Sequence, residues 1–407
     1  NQVVEELRET LSFLTARVSR MADSFVQQAS QLWRQGNGGQ LAKFAMAHRP
    51  TAQPPETENV DMGGLLLIHS RCQWLSSRTN VSELHEAYAL REKSIGILLP
   101  SGKAGLLTVG SEFLLPLLKR FLLNLRDLAL LCDSKDDDGE GGGYQQKCIS
   151  YLQRLWGTIL NDDERNFSCV AIYTVGWQCA HKMNATVVVS RWKLPDGDYK
   201  MSETVTYSFW RGLADFGSNK WLSASNNLSF VFENVPPKYL NHRRMVLWRL
   251  VPSRLLASLH KEGHKRSVGS AALFQQHRMP ELASLTEAFC SGNVGAFEAN
   301  LRDYEETYVK FEVYIQLLKL RMPLYRNLFK RTYHIIKALR GNAGRVPIAD
   351  LTVAARAAGW DVDEEEVECV ICTLIKDKYI KAKLDPERRS VMFSPSNPFP
   401  LKDEKLH

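Results

Sequence analysis

The chain has 407 residues, 44% hydrophobic and 24% charged, with a formal net charge of +7. That length suffices for two or three domains of ordinary globular composition. Eight cysteines without a staple spacing exclude a disulfide framework and point to reduced thiols in an intracellular protein. The charge permits contact with nucleic acid or acidic proteins without requiring it.

Residues 1–49 carry helical periodicity in Leu7, Leu11, Leu14, Val18, Met21, Phe25 and Leu32, broken at Gly36-Asn-Gly-Gly. Pro50, Pro54 and Pro55 make His48–Asp61 a linker. Helical pattern resumes over Gly63–Trp74 and Val81–Leu99. Glu112–Cys132 is the most apolar run, but Lys119, Arg120, Arg126 and Asp127 interrupt it. A membrane span needs about 20 nearly uncharged residues, so this run predicts a buried core helix and no membrane insertion. Asp133–Gly143 is acidic and glycine-rich and predicts a mobile loop. Its Asp136, Asp137 and Asp138 lack the rest of a calcium loop.

From Gln145 to Leu259 helical segments alternate with short polar or Gly/Pro breaks: Gln145–Leu160, Asn166–Met183, Ser202–Phe216, Lys220–Glu233 and Tyr239–His260. Paired helices of this length, without a strict consensus repeat, predict an α-solenoid. A basic break at His264–Ser270 precedes helices over Pro280–Cys290, Val294–Asp303 and Tyr304–Arg321.

Pro323 marks the start of a module of three short helices and a two-stranded hairpin, the order of a winged helix. Leu328, Thr332, Ile335, Ile336 and Leu339 give the first helix, Leu324–Leu339, an apolar stripe. Arg345-Val-Pro-Ile can form a short strand, and a second helix covers Ala349–Ala358. Asp363 with Glu366 reads as a capping box opening a third helix, whose core face is Val367, Val370, Ile371, Leu374 and Ile375. The period then changes to two: Ile380, Ala382 and Leu384 alternate with Lys381 and Lys383, and Ser390–Ser394 returns.

Cys369-Val-Ile-Cys372 lies inside an amphipathic helix with no second CxxC and no His pair, so both cysteines read as structural core residues. No phosphate-binding loop, nucleophile elbow or zinc-helix motif occurs. No catalytic role, metal or other cofactor is expected. Charge is more informative. Lys319, Arg321, Arg326, Lys330, Arg331, Lys337, Arg340 and Arg345 follow one another without an Asp or Glu, and Lys376, Lys378, Lys381, Lys383, Arg388 and Arg389 add to them. A solvated face mixes both signs, so this stretch reads as a surface for nucleic-acid backbone, sequence-independent and salt-sensitive. A second cluster, Lys238, Arg243, Arg244, Arg249, Arg254, Lys261, Lys265 and Arg266 around Trp248, is either an acidic-partner surface or simply exposed charge. The third helix opens on Asp361, Asp363, Glu364, Glu365, Glu366 and Glu368. Those acids repel phosphate, so major-groove reading by that helix is not expected.

A helical array ending in a winged helix resembles the PCI domain family, named for subunits of the proteasome lid, the signalosome and a translation initiation factor. Within it, Arg243-Arg-Met-Val-Leu-Trp-Arg-Leu-Val-Pro-Ser-Arg-Leu-Leu, Tyr325-Arg-Asn-Leu-Phe-Lys and Asn397-Pro-Phe-Pro resemble one branch most closely, with weaker likeness at Ser291-Gly-Asn and Asp363 to Ile375. That branch holds the PCI subunit of transcription-and-export complex two and the signalosome-twelve-like proteins. The resemblance implies a mainly α fold: an N-terminal helical repeat region (1–199), the helical part of a PCI domain (200–322) and its winged helix (323–400). It implies a non-catalytic subunit, obligately hetero-oligomeric, at the nucleus and nuclear pore. The implied partners are a larger PCI-containing export scaffold, a very small acidic disordered protein shared with the proteasome lid, and RNA or DNA backbone. Arg326, Lys330, Arg331, Lys337, Arg340, Arg345, Lys378, Lys381, Lys383, Arg388 and Arg389 are then the expected nucleic-acid contacts. Lys238, Arg243, Arg244, Trp248, Arg249 and Arg254 are the expected contacts with the acidic protein. The signalosome-twelve-like alternative implies another PCI scaffold and a role in transcription elongation or splicing.

Overall fold

The structure, a computed structural model, describes residues 24–50, 53–54, 61–78, 80–99, 106–107, 111–135, 143–160, 168–182, 189–197, 199–258, 271–341 and 344–401. The predicted stripe before residue 24, most of the proline linker, residues 136–142 of the acidic loop and the basic break at 264–270 lie outside them. The chain divides into two units, Asn1–Tyr207 and Ser208–His407. Helix dominates both, and the described strands form one small sheet.

In the first unit α1 (24–34) and α2 (Gly38–Ala47) precede α3 (Met62–Ser76), α4 (Val81–Leu98), α5 (Leu115–Lys135), α6 (Tyr144–Leu160) and α7 (Cys169–Lys182). From α3 onward each helix packs on the next. The apolar run is indeed a core helix: Leu117, Leu118, Phe121, Leu122 and Leu125 of α5 are buried. Pro116 occupies its second position, where no intrahelical donor is lost. No described helix is long and apolar enough to cross a membrane.

This core holds a charge. Arg91 of α4 is fully buried and has no ion-pair partner among the described residues. Its Nε donates to Asn124 Oδ1 at 2.7 Å, and Nη1 lies 2.9 Å from His69 Nδ1. The guanidinium sits over the Phe121 ring at 4.4 Å. His69 Nε2 lies 2.9 Å from the Ala45 carbonyl. That contact requires the Nε2–H tautomer, which leaves Nδ1 to accept from Arg91. Burial and the Arg91 charge therefore hold the imidazole well below its ordinary pKa. Burial and Arg49 shift His48 the same way.

The next helix, α8 (Met201–Gly217), runs across the boundary between the units, and with α9 (Trp221–Asn234), α10 (Leu240–Ala257), α12 (Pro280–Ser291) and α13 (Val294–Asp303) of the second unit it follows the predicted intervals, whereas α11 (Ala271–His277) was not expected. The single helix expected over Tyr304–Arg321 is instead broken into α14 (Glu305–Lys310) and α15 (Tyr314–Leu318). Glu312 adopts a left-handed φ of 57° between them. Buried Tyr308 donates its hydroxyl proton to Asn300 Oδ1 at 2.6 Å with the Glu281 carbonyl 3.1 Å from the same oxygen, and Phe311 stacks on Trp248 at 4.5 Å. These tertiary contacts fix the chain direction against local helical propensity.

The winged helix comprises α16 (Arg321–Arg340), β1 (Arg345–Pro347), α17 (Ile348–Ala357), α18 (Glu364–Lys376), β2 (Ala382–Asp385) and β3 (Ser390–Phe393). The hairpin gains β1 as a third strand, in antiparallel order β1-β3-β2. The Asp363 cap is present: its Oδ1 accepts from Glu366 N at 2.8 Å. Val367, Ile371 and Leu374 are buried. The α16 stripe is corrected at its end. Leu328, Thr332 and Ile336 are buried, but Ile335 is 58% and Leu339 80% exposed.

Two predictions concern stability. The unfolded His69 titrates near 6.5 and the folded one well below, so the unfolded state binds more protons once the pH falls under that value. The stabilisation is complete above pH about 6.5 and declines below it by about 1.4 kcal/mol per pH unit until the folded pKa is reached. Urea titrations across this range should show it, and His69→Gln should flatten the dependence; an unchanged slope refutes the assignment. Separately, Arg326→Met should lower the stability of the second unit by about 3 kcal/mol, because Arg326 donates to three internal carbonyls. Chemical denaturation followed by tryptophan fluorescence measures this.

Candidate partner and nucleic-acid surfaces

The expected nucleic-acid residues fall into three groups. Arg326 does not belong on that surface. It is 7% exposed, its Nε donates to the Tyr379 carbonyl at 3.1 Å, and its Nη2 donates to those of Phe399 and Pro400 at 2.9 and 3.1 Å. Burial pulls its pKa below the usual guanidinium value, partly offset by Tyr379. It is an internal clamp, and the Asn397-Pro-Phe-Pro segment is what it holds.

A second group is engaged within the protein. Arg331 donates to the Ser291 carbonyl. Arg340 pairs with Asp350 at 3.0 Å, Arg345 with Asp385 at 3.2 Å and Arg389 with Glu364 at 3.2 Å. Lys330 is half-buried. Such exposed pairs exchange partners cheaply, each being worth about 0–1 kcal/mol. The third group, Lys337, Lys378, Lys381, Lys383 and Arg388, is exposed. Of these, Lys378, Lys381 and Lys383 gather at β2, the edge of the sheet. Of the six acids at the start of α18, Glu364 reaches Arg389 of the wing, and Asp363 is spent on the cap.

The second basic cluster also divides. Trp248 is 1% exposed and belongs to the core, stacked on Phe311. It is removed from the partner surface. Arg249 lies 3.6 Å from Glu312, and burial lowers its pKa. Arg254 donates to Ser229 Oγ at 2.9 Å and is lowered by burial too. Arg243 lies over the Phe232 ring at 4.3 Å and donates to the Phe232 carbonyl at 3.3 Å. Lys238 is exposed and Arg244 half-buried. Around them Tyr239, Leu240 and Met245 expose large apolar side chains, which sequence reasoning did not single out. The start of α10 therefore combines cations with apolar surface. Lys261, Lys265 and Arg266 lie outside the described residues.

The cysteine reading is corrected at one place. Cys369 and Cys372 are both exposed, on the outer face of α18, and are not core residues. A spacing of three keeps them on one helix face, and that face is the acidic one. Burial, Glu368 and Cys369 raise the Cys372 thiol above its usual pKa. Among the described residues no cluster of His, Cys, Asp or Glu is placed to hold a metal ion.

Two motifs acquire a structural account. Ser291-Gly-Asn closes α12 and opens α13: Gly292 is left-handed at φ 72°, and Asn293 Oδ1 accepts from Ala296 N at 2.9 Å. Gly295 N then donates to the Ala358 carbonyl at 2.8 Å. A Cβ on Gly295 would stand 2.8 Å from the Gly359 carbonyl oxygen. The backbone of α13 thus lies directly against the turn after α17, reinforced by Arg321 with Glu298 at 2.7 Å and Tyr325 stacked on Trp360 at 4.5 Å.

A helical array closed by a winged helix is the architecture of a PCI-type chain. Residues 301–395 match the PCI domain family, and the chain carries a PCI domain. It is similar to the PCI domain-containing protein 2 homolog of Caenorhabditis elegans, 25% identical over 416 residues that span 94% of this chain and 97% of the relative. It is also similar to PCI domain-containing protein 2 of Danio rerio, 28% identical over 204 residues, 50% of this chain and 48% of the relative. Protein CSN12 homolog of Schizosaccharomyces pombe is 27% identical over 228 residues, 54% of this chain and 51% of the relative.

The cysteine correction is directly testable. In the folded protein a thiol reagent under mildly alkaline conditions should label Cys369 and Cys372, while Cys72, Cys132, Cys148, Cys169 and Cys179, all buried, should react only after unfolding. Mass spectrometry of labelled peptides assigns the sites; protection of Cys369 in the folded protein refutes the exposed face.

Proposed function

We propose that this chain is a non-catalytic scaffold subunit of a nuclear mRNA export complex, coupling transcription to export at the nuclear pore. It binds a larger PCI-containing scaffold, a small acidic disordered protein, and the backbone of RNA or DNA. The likeness to PCI domain-containing protein 2 relatives supports the scaffold role. The observation that carries the partner assignment is the start of α10. Its first turns hold Arg243 and Arg244 and no acid, with Lys238 just before. Cations at the positive end of a helix are unfavourable, and an anionic partner removes that cost. Exposed Tyr239, Leu240 and Met245 supply the apolar contacts that give such a partner affinity. The exposed lysines of the wing supply the nucleic-acid surface.

The name of the fission-yeast relative favours one alternative: a signalosome-twelve-like subunit that pairs with another PCI scaffold in transcription elongation or splicing.

Affinity purification of the full chain from nuclear extract, with mass spectrometry, tests both. An export scaffold together with a small acidic protein is the expected outcome, and Arg243→Glu with Arg244→Glu should release the acidic protein while the scaffold stays. Recovery of a different PCI scaffold selects the alternative. Recovery of a stable lone monomer removes both.

A further inference from the structure

We infer that the outer edge of the wing is a groove for single-stranded nucleic acid, which takes an unstacked base between its lysines. This rests on the nucleic-acid reading above and narrows it to one substrate class.

A recess of about 590 Å³ runs along β2, and Ile375, Lys378, Lys381, Lys383, Met392 and Pro395 are among its walls. Its position follows from the sheet order: β3 is paired on both sides, while β2 is an edge. Lys381 and Lys383 are two residues apart on an extended chain, so they share one face about 6.6 Å apart. Lys383 stands opposite Met392 in register, and Ser394 N donates to the Lys381 carbonyl at 2.9 Å, which places Ser394 beside it. Lys378 comes from the turn after α18, where a left-handed φ of 60° carries the chain round to the strand. Ile375, half-buried on the last turn of α18, closes the inner wall. The nearby acid Asp385 is paired with Arg345 at 3.2 Å. The recess thus joins an apolar floor to a cationic rim.

Lysines alone would attract any phosphate backbone. An apolar floor adds nothing for a duplex, whose bases are stacked inward. A single strand can turn a base outward and bury it, as single-strand binders do on apolar or aromatic surfaces. The volume lies in the range of small-ligand pockets, enough for a base. The Arg345 guanidinium beside Met392, 3.4 Å from its Sδ, is paired with Asp385, and the cations that line the recess are lysines. These compact charges follow a flexible phosphate chain, whereas a guanidinium fork that would grip a carboxylate in two places is missing from the residues lining the recess. Nucleic acid is therefore favoured over an acidic peptide.

The test uses the full chain and fluorescence anisotropy with labelled probes of about 12 nucleotides: oligouridine, the same strand with abasic riboses, and an RNA duplex. Oligouridine should bind about tenfold more tightly than either of the others, the order expected for burying one base. Met392→Ser and Ile375→Ser, each checked for an unchanged melting profile, should bring the oligouridine affinity down to the abasic value. Lys381→Glu with Lys383→Glu should weaken all three probes and flatten the salt dependence. Equal binding of the three probes overturns the groove while leaving backbone binding in place, as does an advantage for oligouridine that survives both serine substitutions. Absence of binding to every probe at low salt overturns the nucleic-acid reading and the groove with it. Displacement of oligouridine by poly-glutamate as readily as by unlabelled RNA makes the recess a peptide site and also overturns the inference.

Discussion

The winged helix is organised around the Arg326 guanidinium. A charge buried to this degree costs several kcal/mol unless its donors are satisfied, and here it is satisfied by main-chain carbonyls from two separate stretches, Tyr379 before β2 and Phe399-Pro400 after β3. One side chain of α16 therefore determines where the hairpin begins and where the chain runs after it. The aromatic cluster of Tyr333, Phe393 and Phe399 packs beside this clamp, with ring centroids 4.9 to 5.6 Å apart. Because carbonyls carry no titratable proton, the clamp does not depend on pH in the way an Asp or Glu partner would. The wing edge that carries Lys381 and Lys383 is a direct continuation of this anchored segment, since Lys381 N donates to the Pro398 carbonyl at 2.8 Å.

Much of the fold was legible because local signals agreed. The Asp363 cap, the spacing of Val367, Ile371 and Leu374, and the change of period after Ile380 each reported local chemistry that the tertiary structure kept. Failures came where distant residues decide. Nothing near Glu312 in sequence announces that Trp248 will stack on Phe311 and bend the chain there. Ile335 and Leu339 have the right period but are exposed, while Ile336 between them is buried, and periodicity does not tell which part of a stripe a neighbour covers. Cys369 and Cys372 follow Val367 at offsets that rotate them away from the buried face. The sequence window was right about the helix and wrong about the angle.

The candidate surfaces teach a related lesson about charge. A run of basic residues along a helix is distributed round its whole circumference, so part of it must point inward. In α16 that part is Arg326, and Phe329 and Tyr333, three and seven residues on, were a signal that its position shares a buried face. In α10 the inward residue is Trp248, flanked by Leu247 and Leu250, while Arg249 is half sequestered against Glu312. What remains outside is smaller and better defined than the sequence clusters: a start of α10 that mixes cations with Tyr239, Leu240 and Met245, and a wing edge of lysines. The buried Arg91 and His69 pair was invisible for the opposite reason, since an isolated arginine within α4 looks like any solvated residue until its Asn124 and Phe121 partners are known.

The approach of Gly295 to Gly359 has a mechanical consequence. Most packed interfaces between helices are cushioned by side chains, which can slide by a rotamer and let two bodies tilt. Here the amide of one backbone bonds the carbonyl next to the other, at 2.8 Å, with no room for a methyl group between them. Such a joint has no soft layer. Tilting the wing against α13 would break a main-chain hydrogen bond before it reoriented a single side chain, so the two behave as one lever. A partner seated on the helices would feel a pull on the wing as displacement and not as slack.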